Sequence, residues 1–484
     1  MDLLFIVRAG YQFLAKKSSI LDIPSTLQFR RDPRTILPMP TFDHLKAQDP
    51  EILTLLDEET LRQRDGLELI PSENHTSAAV LEALATTLSD KYAEGYPGRR
   101  YYTGNEVADK VETLVQERAK KLFGVEYVNV QPYSGSPANL AVYMALLEPG
   151  DTFMGLDLLA GGHLTHGWKY NATAKLWKSI PYHLKADGSL DFDEIRKLAQ
   201  EHKPKLMWCG ATAFPRSIPF AEFAKIADEV GAYLVADISH IAGLVAGGAH
   251  ESPVQYVHLV TTTTHKTLRG PRGAMIMVTK KGMEKDAELG SKIDKAIIPG
   301  LQGGPHLNTI AGIGVALVEA GKPEFKTYAT SIVDNAKSLA EELMSRGFEL
   351  VSGGTDNHLL LLDFTSTGTG RGRFFHFALE RIGLYANMNT VPNDAGSALY
   401  PSGLHIGTPA ATTRGMGNTE MTQIADLIAR VRNHIKDVQM PTDKAGREET
   451  MKTFMSSLAS DTFYNDLREE VRTMCQRFPI PGAK

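Results

Sequence analysis

Residues 260–273 place a single lysine where it could act as a nucleophile. The segment reads Val-Thr-Thr-Thr-Thr-His-Lys-Thr-Leu-Arg-Gly-Pro-Arg-Gly. Its β-branched start predicts a buried strand, and the glycines and proline that follow predict a turn that presents Lys266. A desolvated lysine loses its proton more readily, which suits Schiff-base chemistry with a carbonyl group. An isolated Thr-His-Lys-Thr is more often an exposed strand end, so this interpretation depends on the rest of the chain.

A second pattern predicts a site for an anion. A strand over residues 125–130 leads through Gln-Pro-Tyr-Ser-Gly-Ser-Pro-Ala-Asn into an apolar helix over residues 140–147. Free backbone N–H groups, the positive end of the helix dipole and serine hydroxyls converge at such a helix start. Gly135 and Ser136 are therefore candidates for holding a phosphate, although the pattern by itself fits a well-capped helix equally.

Two further segments carry candidate acid–base groups. Asp237 ends a predicted strand and is followed by Ile-Ser-His240, a pattern that in an unrelated chain is more often a turn. His163 and His166 lie three residues apart in a glycine-rich loop. A metal site there lacks a third ligand nearby, and a lone histidine in such a loop is usually structural.

The composition is that of an ordinary globular protein. The chain has 484 residues, 42% hydrophobic and 23% charged, which is enough for two or three domains. A net charge of −5 disfavours non-specific binding to nucleic acids or anionic membranes. Cys209 and Cys475 lie far apart, which indicates neither a disulfide framework nor a zinc site and fits a reducing compartment. No apolar run reaches the length of a transmembrane helix.

Strands and helices alternate along most of the chain, which predicts an α/β fold with a largely parallel sheet. We expect an N-terminal helical arm over residues 39–80, a large domain over 81–315 and a smaller C-terminal domain over 316–484. Residues 1–38 differ from the rest and are expected to be a disordered extension or a mis-assigned start, with an organellar transit segment as the alternative. The expected location is accordingly the cytoplasm, or an organelle in that alternative.

From about residue 70 to its C-terminus, the chain resembles the serine hydroxymethyltransferases, which use pyridoxal 5'-phosphate (PLP). The lysine segment, the loop Lys-Tyr-Ala-Glu-Gly-Tyr-Pro-Gly from residue 91 and Pro-Gly-Leu-Gln-Gly-Gly-Pro-His from residue 299 carry the resemblance. It implies an aminotransferase-like fold type I, with a mostly parallel seven-stranded sheet in the large domain and a smaller α+β domain. It also implies tetrahydrofolate as co-substrate and a homodimer with shared sites, possibly a tetramer, with no nucleic-acid or membrane partner.

The resemblance assigns roles to the chemical groups. Lys266 would hold PLP, Asp237 would keep the pyridine nitrogen protonated, and His163 would stack on the ring. Glu94 would exchange the proton of the substrate hydroxyl, with His240 beside the ring. The other cofactor contacts would come from Gly135, Ser136, Thr212, Thr263 and His265 and, across the dimer, from Tyr92, Gly303 and Gly304. Substrate contacts would come from Ser72, Tyr102, Arg272 and His405, and folate contacts from Leu158, Gly162, Leu164, Asn389 and Ser397.

One residue departs from the family pattern at a decisive position. The family binds the substrate carboxylate with an arginine in Ser-Gly-x-Arg-x-Gly-Thr, and this chain reads Ser-Gly-Leu-His405-Ile-Gly-Thr. A planar fork that binds a carboxylate through two hydrogen bonds is replaced by a shorter, titratable ring. Losing such a charge-assisted contact costs on the order of 2–3 kcal/mol of binding.

Four interpretations of His405 remain open at this point. The histidine could bind the carboxylate as imidazolium in a weak serine enzyme. The pocket could suit a differently substituted amino acid such as an α-methylserine. The acid group itself could differ, for example a phosphonate, or the protein could be catalytically silent. The hypothesis is a PLP-dependent hydroxymethyltransferase, with a folate-independent aldolase or transaldolase and a non-catalytic PLP-binding protein as rivals.

Overall fold

The computed structural model describes residues 42–482. Its helices, leaving out short 3-10 and π turns, are α1 (Asp43–Gln48), α2 (Pro50–Asp65), α3 (Ala78–Leu84), α4 (Glu106–Phe123), α5 (Gly135–Leu146), α6 (Ala172–Leu176), α7 (Phe192–His202), α8 (Phe220–Val230), α9 (Ala242–Gly247), α10 (Lys280–Lys285), α11 (Leu289–Lys295), α12 (Leu307–Ala320), α13 (Pro323–Ser345), α14 (Arg371–Ile382), α15 (Pro409–Thr413), α16 (Asn418–His434), α17 (Lys444–Ser460) and α18 (Phe463–Arg477). Its strands are β1 (Leu67–Glu68), β2 (Gly95–Tyr96), β3 (Arg99–Arg100), β4 (Tyr127–Asn129), β5 (Thr152–Leu156), β6 (Lys178–Tyr182), β7 (Leu206–Cys209), β8 (Tyr233–Asp237), β9 (Leu259–Thr263), β10 (Ala274–Val278), β11 (Glu349–Leu350), β12 (Leu359–Asp363), β13 (Leu384–Tyr385), β14 (Asn387–Asn389) and β15 (Gly403–Gly407).

Seven strands form the larger sheet, in the order β4-β10-β9-β8-β7-β5-β6. Strands β5 to β9 pair in parallel, whereas β10 runs antiparallel to both β9 and β4. Strands β7, β9 and β10 are buried along their whole length, as expected where helices cover both faces of a sheet. The expected mostly parallel seven-stranded sheet is confirmed, and it brings the carboxyl ends of β8 and β9 to one edge.

Helix α8 shows why the local pattern predicts the fold well. Its buried side chains, which include Phe220, Phe223 and Ile226, recur at helical spacing. The helix ends at Gly231, whose φ of 73° lies in the left-handed region that favours glycine. The apolar face packs against β7 and β8, so the helix helps to fix the strand that ends in Asp237.

A second, antiparallel sheet has the order β11-β12-β15-β14. Its register places His405 of β15 opposite Leu361 of β12 and Asn387 of β14. Strand β1, far earlier in the chain, pairs in parallel with β13. The N-terminal arm is therefore joined to the C-terminal part of the chain.

The described residues form one compact unit, and the domain boundaries after residues 80 and 315 remain predictions. Ala316 lies inside α12, and Pro323 starts the next helix, α13. The expectations for residues 1–38 fall outside the described part of the chain. Between residues 42 and 482, no helix is both long and apolar enough to span a membrane.

Candidate active site

Lys266 lies in the turn between β9 and β10 and is only 9% exposed. Asn74 holds this turn, since its Nδ2 donates to the backbone carbonyl of Lys266 at 3.0 Å. Burial lowers the pKa of Lys266 to about 8, against the opposing attraction of Asp237. An amine with this pKa is partly neutral at neutral pH and can act as a nucleophile.

Asp237 is a buried carboxylate with three hydrogen-bond donors. Its Oδ2 accepts from Asn139 Nδ2 at 2.8 Å and lies 3.2 Å from His166 Nε2, and its Oδ1 accepts from the backbone N–H of Ser239 at 3.0 Å. Burial alone would raise the pKa of Asp237, but the hydrogen bond and charge of His166 hold it well below its usual range. The carboxylate therefore stays ionised inside the protein, as a group that holds a protonated ring nitrogen must.

His163 lies beside this charge system. Its Nδ1 is 2.8 Å from Thr165 Oγ1, and the same hydroxyl accepts from Asn139 Nδ2 at 2.8 Å. Burial lowers the pKa of His163 to about 4, and the charges of His166 and Lys266 act in the same direction. The imidazole is therefore neutral near pH 7. In the described part of the chain, no cluster of three or more His, Cys, Asp or Glu side chains could hold a metal ion.

Gly135 and Ser136 form the first turn of α5, which begins at Gly135 rather than at residue 140 as the sequence analysis expects. The side chain of Ser134, just before the helix, makes no capping hydrogen bond, so the backbone N–H groups of that turn stay available to an anion. A Cβ on Gly135 would lie 2.8 Å from Thr263 Cγ2, which brings this turn against the end of β9. A lysine amine, a buried carboxylate and an anion cradle thus lie at one sheet edge, and these residues fit PLP.

Three buried histidines lie close enough to Lys266 for its charge to act on each of them. His240, His358 and His405 are 4%, 0% and 2% exposed. His240 Nδ1 is 3.3 Å from His358 Nε2, and the ring centroids of His240 and His405 are 6.3 Å apart. Burial lowers the pKa of all three, that of His405 to about 3, and the charge of Lys266 adds to the effect. We call these three residues the histidine wall.

The predicted substrate residues Ser72 and Arg272 have different surroundings. The segment before Ser72 runs beside β15: Gly407 N donates to Leu69 O at 2.7 Å, and a Cβ on Gly407 would meet Pro71 at 2.8 Å. Ser72 is therefore close to the strand that carries His405. Arg272 is exposed, and no ion pair or side-chain hydrogen bond of it occurs within residues 42–482, although its charge helps to lower the pKa of Lys266.

Arg100 anchors the loop over residues 91–104. It donates to the backbone carbonyls of Ala93 and Gly95 at 2.9 and 2.8 Å. It also pairs with Glu112 at 2.7 Å and Asp109 at 2.8 Å, both on α4. This network fixes the path of the loop while the side chains of Tyr92, Tyr101 and Tyr102 stay exposed.

The loop and residues 303–304 form a second group of predicted site residues. Tyr92 Oη donates to Glu94 Oε1 at 3.1 Å, and the rings of Tyr92 and Tyr102 meet edge to face at 4.8 Å. A Cβ on Gly303 would lie 2.9 Å from Glu94 Oε1, and one on Gly304 would lie 3.5 Å from the Tyr92 ring. Tyr92 and Tyr102 are 53% and 47% exposed, so this group lies on the surface.

The segments predicted to contact folate are partly brought together. Thr390 Oγ1, next to Asn389, donates to the carbonyl of Leu159, next to Leu158, at 3.2 Å. Thr212 joins the same region, since its N–H donates to Gly161 O, beside Gly162, at 2.8 Å. Leu164 is exposed nearby, whereas Ser397 pairs with Tyr400 and is not joined to the other segments by a described hydrogen bond.

His265, a predicted cofactor contact, follows β9, and burial lowers its pKa to about 3.

Sequence reasoning missed several residues of this site. The sequence pattern gives His166 no role once a metal site is excluded and places Asn139 in the turn before the apolar helix, yet both contact Asp237. His358 and Arg100 were not singled out either. The signal in the sequence is a polar residue within an apolar stretch. Such a residue is expected to have a hydrogen-bond partner, because buried polar side chains normally do. Which partner each one meets depends on packing between distant segments.

Comparison with known proteins gives consistent results. Residues 45–428 match the family model described as serine hydroxymethyltransferase. The chain is 53% identical over 439 residues to a serine hydroxymethyltransferase of Acidothermus cellulolyticus, covering 90% of this chain and 97% of that protein. It is 50% identical over 441 residues to one of Sorangium cellulosum, covering 91% and 97%, and 49% identical over 439 residues to one of Nostoc punctiforme, covering 90% and 96%.

Proposed function

The chain belongs to the serine hydroxymethyltransferase family, and we propose that it transfers the hydroxymethyl group of a serine-type amino substrate to tetrahydrofolate, with Lys266 as the lysine that holds PLP. The predicted family, fold type I, transferase reaction and cofactors are confirmed by these relatives. The roles of individual residues are our proposal. The observation that carries it is the burial of Lys266 and Asp237 at one sheet edge beside the N-terminal turn of α5.

Each group at that edge has a physical task. When bound, PLP supplies the electron sink for the pair released as the bond between Cα and Cβ breaks. Lys266, whose pKa of about 8 leaves some amine unprotonated, holds the cofactor. Asp237 keeps a negative charge against the ring nitrogen, because Asn139, His166 and Ser239 all donate to it. Neutral His163 would pack beside the ring, and Gly135 and Ser136 would bind the phosphate.

Glu94 is the proposed acceptor of the substrate hydroxyl proton. It is the carboxylate that Tyr92 binds in the loop over residues 91–104, and Arg100 holds that loop in place. A positioned carboxylate can take and return a proton at the hydroxyl oxygen as the carbon–carbon bond changes.

The surface group of Tyr92, Glu94, Tyr102, Gly303 and Gly304 supports a homodimer with shared sites. Its aromatic side chains are half exposed, and they contact one another rather than the Lys266 turn. A partner subunit whose site receives this group would bury them, and in a symmetric dimer each chain would complete the other's site. A cytoplasmic location remains a proposal, and a tetramer would be a further assembly of such dimers.

The test is glycine formation from L-serine by the PLP-loaded protein, with and without tetrahydrofolate. We expect glycine and methylenetetrahydrofolate in equal amounts, and a loss of about 10²-fold or more in Lys266→Ala. Lys280→Ala, a change of an exposed lysine outside the site, is the matched control. Full turnover in Lys266→Ala would contradict the assignment. Equal rates without tetrahydrofolate would instead indicate the aldolase or transaldolase.

A further inference from the structure

The histidine wall of His240, His358 and His405 differs from a carboxylate-binding site in its donors. The family resemblance predicts an arginine at position 405, with a permanent charge and a two-pronged fork. Here the wall consists of three imidazoles, none of which has a carboxylate within ion-pair distance in the part of the chain that the structure describes. The cation nearest to them is Lys266, whose charge acts on all three rings.

Each ring of the wall keeps one nitrogen without a partner. His240 Nε2, His358 Nδ1 and His405 Nε2 are buried and make no hydrogen bond within residues 42–482. A buried polar nitrogen left unpaired costs about 1–3 kcal/mol, so three in one cluster are a strong reason to expect a ligand. A carboxylate has two oxygens, whereas a phosphonate or sulfonate group has three.

The shape of the wall also favours a larger acid group. An imidazole is shorter than the arginine side chain predicted at position 405, and its neighbours in the register, Leu361 and Asn387, are fixed by backbone pairing in the sheet. The strands cannot close up around the shorter side chain without losing that pairing. The shorter side chain therefore leaves an acid group more room at its tip than an arginine would, and the ring centroid of His240 lies 6.3 Å from that of His405.

The charge of the wall responds to its ligand. All three imidazoles are neutral without one, since burial and Lys266 lower the pKa of each. The other titratable groups that act on them, His163 on His240 and His250 on His358, are histidines that give no negative charge. An incoming anion reverses this balance and favours protonation of the rings. A doubly charged anion favours it more than a singly charged one.

We propose that the histidine wall binds a phosphonate, so that the preferred amino substrate of this protein is the phosphonate counterpart of serine, 1-amino-2-hydroxyethylphosphonate. The proposal rests on the proposed function, because the reaction is the same. The bond between Cα and Cβ breaks, the electron pair stays on Cα and takes up a proton, and the hydroxyl gives up its proton. Aminomethylphosphonate and formaldehyde result, and formaldehyde condenses with tetrahydrofolate to methylenetetrahydrofolate and water.

Binding of product analogues tests this without turnover. The test compares three compounds. Aminomethanesulfonate differs from glycine in the shape of its acid group, and aminomethylphosphonate differs from aminomethanesulfonate in charge. Each is titrated calorimetrically into the PLP-loaded protein in two buffers of different ionisation enthalpy. We expect aminomethylphosphonate to bind about 10- to 100-fold more tightly than glycine, the range for one or two charge-assisted contacts. Its binding takes up about one proton, and aminomethanesulfonate, with one charge, binds less tightly.

Two variants complete the test. His405→Arg is expected to reverse the order, so that glycine binds more tightly, and to abolish the proton uptake. His183→Gln, which changes an exposed histidine outside the site, leaves both unchanged. Tighter binding of glycine than of aminomethylphosphonate by the wild type would overturn the proposal, as would equal binding of the sulfonate and the phosphonate. Turnover of serine tests the proposed function, whatever the binding experiment shows. Failure of the phosphonate proposal can therefore be distinguished from failure of the proposed function.

Discussion

His166 Nε2 lies 3.2 Å from Asp237 Oδ2, and the His166 ring stacks on Trp208 with centroids 5.3 Å apart. The stacking on Trp208 fixes the orientation of the His166 ring, so that Nε2 stays directed at the Asp237 carboxylate. Burial opposes the charge on Asp237, and the His166 contact overcomes that opposition. His166 thus keeps the Asp237 carboxylate ionised, and we propose that this carboxylate faces the cofactor ring.

We therefore expect His166→Phe to impair the site while keeping the stacking on Trp208. Without the His166 donor, the pKa of Asp237 rises, because burial is then less opposed. The acid limb of the pH dependence of kcat should move to higher pH, and kcat should fall about tenfold. The measurement is a pH–rate profile with binding of PLP followed by absorbance. His166→Gln, which keeps a donor, serves as the control, and an unshifted acid limb in His166→Phe would contradict the role.

The Arg100 anchor predicts a large effect on stability. In Arg100→Ala, Glu112 stays fully buried without its cation, which costs about 3–5 kcal/mol in the free energy of unfolding. Urea denaturation measures this loss. Arg99→Ala, at an exposed neighbour, should change stability by less than about 0.5 kcal/mol.

The double variant Arg100→Met/Glu112→Gln separates the two tasks of Arg100. Removing both charges should recover much of the stability. Turnover should stay low, because the carbonyl of Ala93 still lacks its donor and that of Gly95 keeps only Gln131 Nε2. Recovery of stability and turnover together would show that the loop does not need this anchor.

Gly135 is predicted to be essential for cofactor affinity. In Gly135→Ala, the new methyl group would lie 2.8 Å from Thr263 Cγ2, so the turn must shift away from β9. We expect the Kd for PLP to rise about tenfold or more, as measured by equilibrium dialysis. The double variant Gly135→Ala/Thr263→Ser removes the opposing methyl group and should restore part of the affinity. Unchanged PLP binding in Gly135→Ala would contradict the cradle.

Stability should fall in mild acid partly because of His258. Its Nδ1 accepts from the backbone N–H of Leu234 at 2.9 Å, and burial lowers its pKa to about 4. The folded state resists protonation, so this contribution is complete above the unfolded pKa of about 6.5 and is lost as pH falls towards 4. From pH 7 to pH 5 the loss is about 2 kcal/mol. Urea unfolding at both pH values should show a smaller drop in His258→Gln than in wild type, and an identical drop would contradict this account.

Shared sites predict complementation between inactive variants. Lys266→Ala and Glu94→Gln alter groups that we propose act in the same site but come from different chains. Mixed after reversible dissociation, they should regain roughly a quarter of wild-type activity, because half of the dimers are mixed and each has one intact site. A mixture of Lys266→Ala and Asp237→Ala should stay inactive. We propose that each site takes both groups from one chain, so each site of a mixed dimer carries one of the two changes. No recovery in the first mixture would contradict sharing.

The local pattern predicted much of the fold, whereas the residues of the candidate site were assigned from the family resemblance. The bounds of α8 and the end of β8 at Asp237 follow from apolar periodicity and from Gly231, signals that lie within a few residues of the structure they determine. The contact of His166 with Asp237 could not be derived in this way, because it depends on how α5, the loop after β5 and β8 pack together. The same holds for the pairing of His240 with His358, whose elements meet only when both sheets are in place.

The pairing of β1 with β13 joins two segments that are synthesised far apart in time. A chain made from its N-terminus carries β1 without a partner until Tyr385 has left the ribosome. By then the strands that hold Lys266 and Asp237 have already been synthesised, whereas the side of the site formed by Ser72 and His405 still awaits β15. Synthesis of the buried lysine thus precedes synthesis of the strand that completes the surface we propose selects its amine. A product truncated before β15 would combine a nucleophile with no means of choosing a substrate.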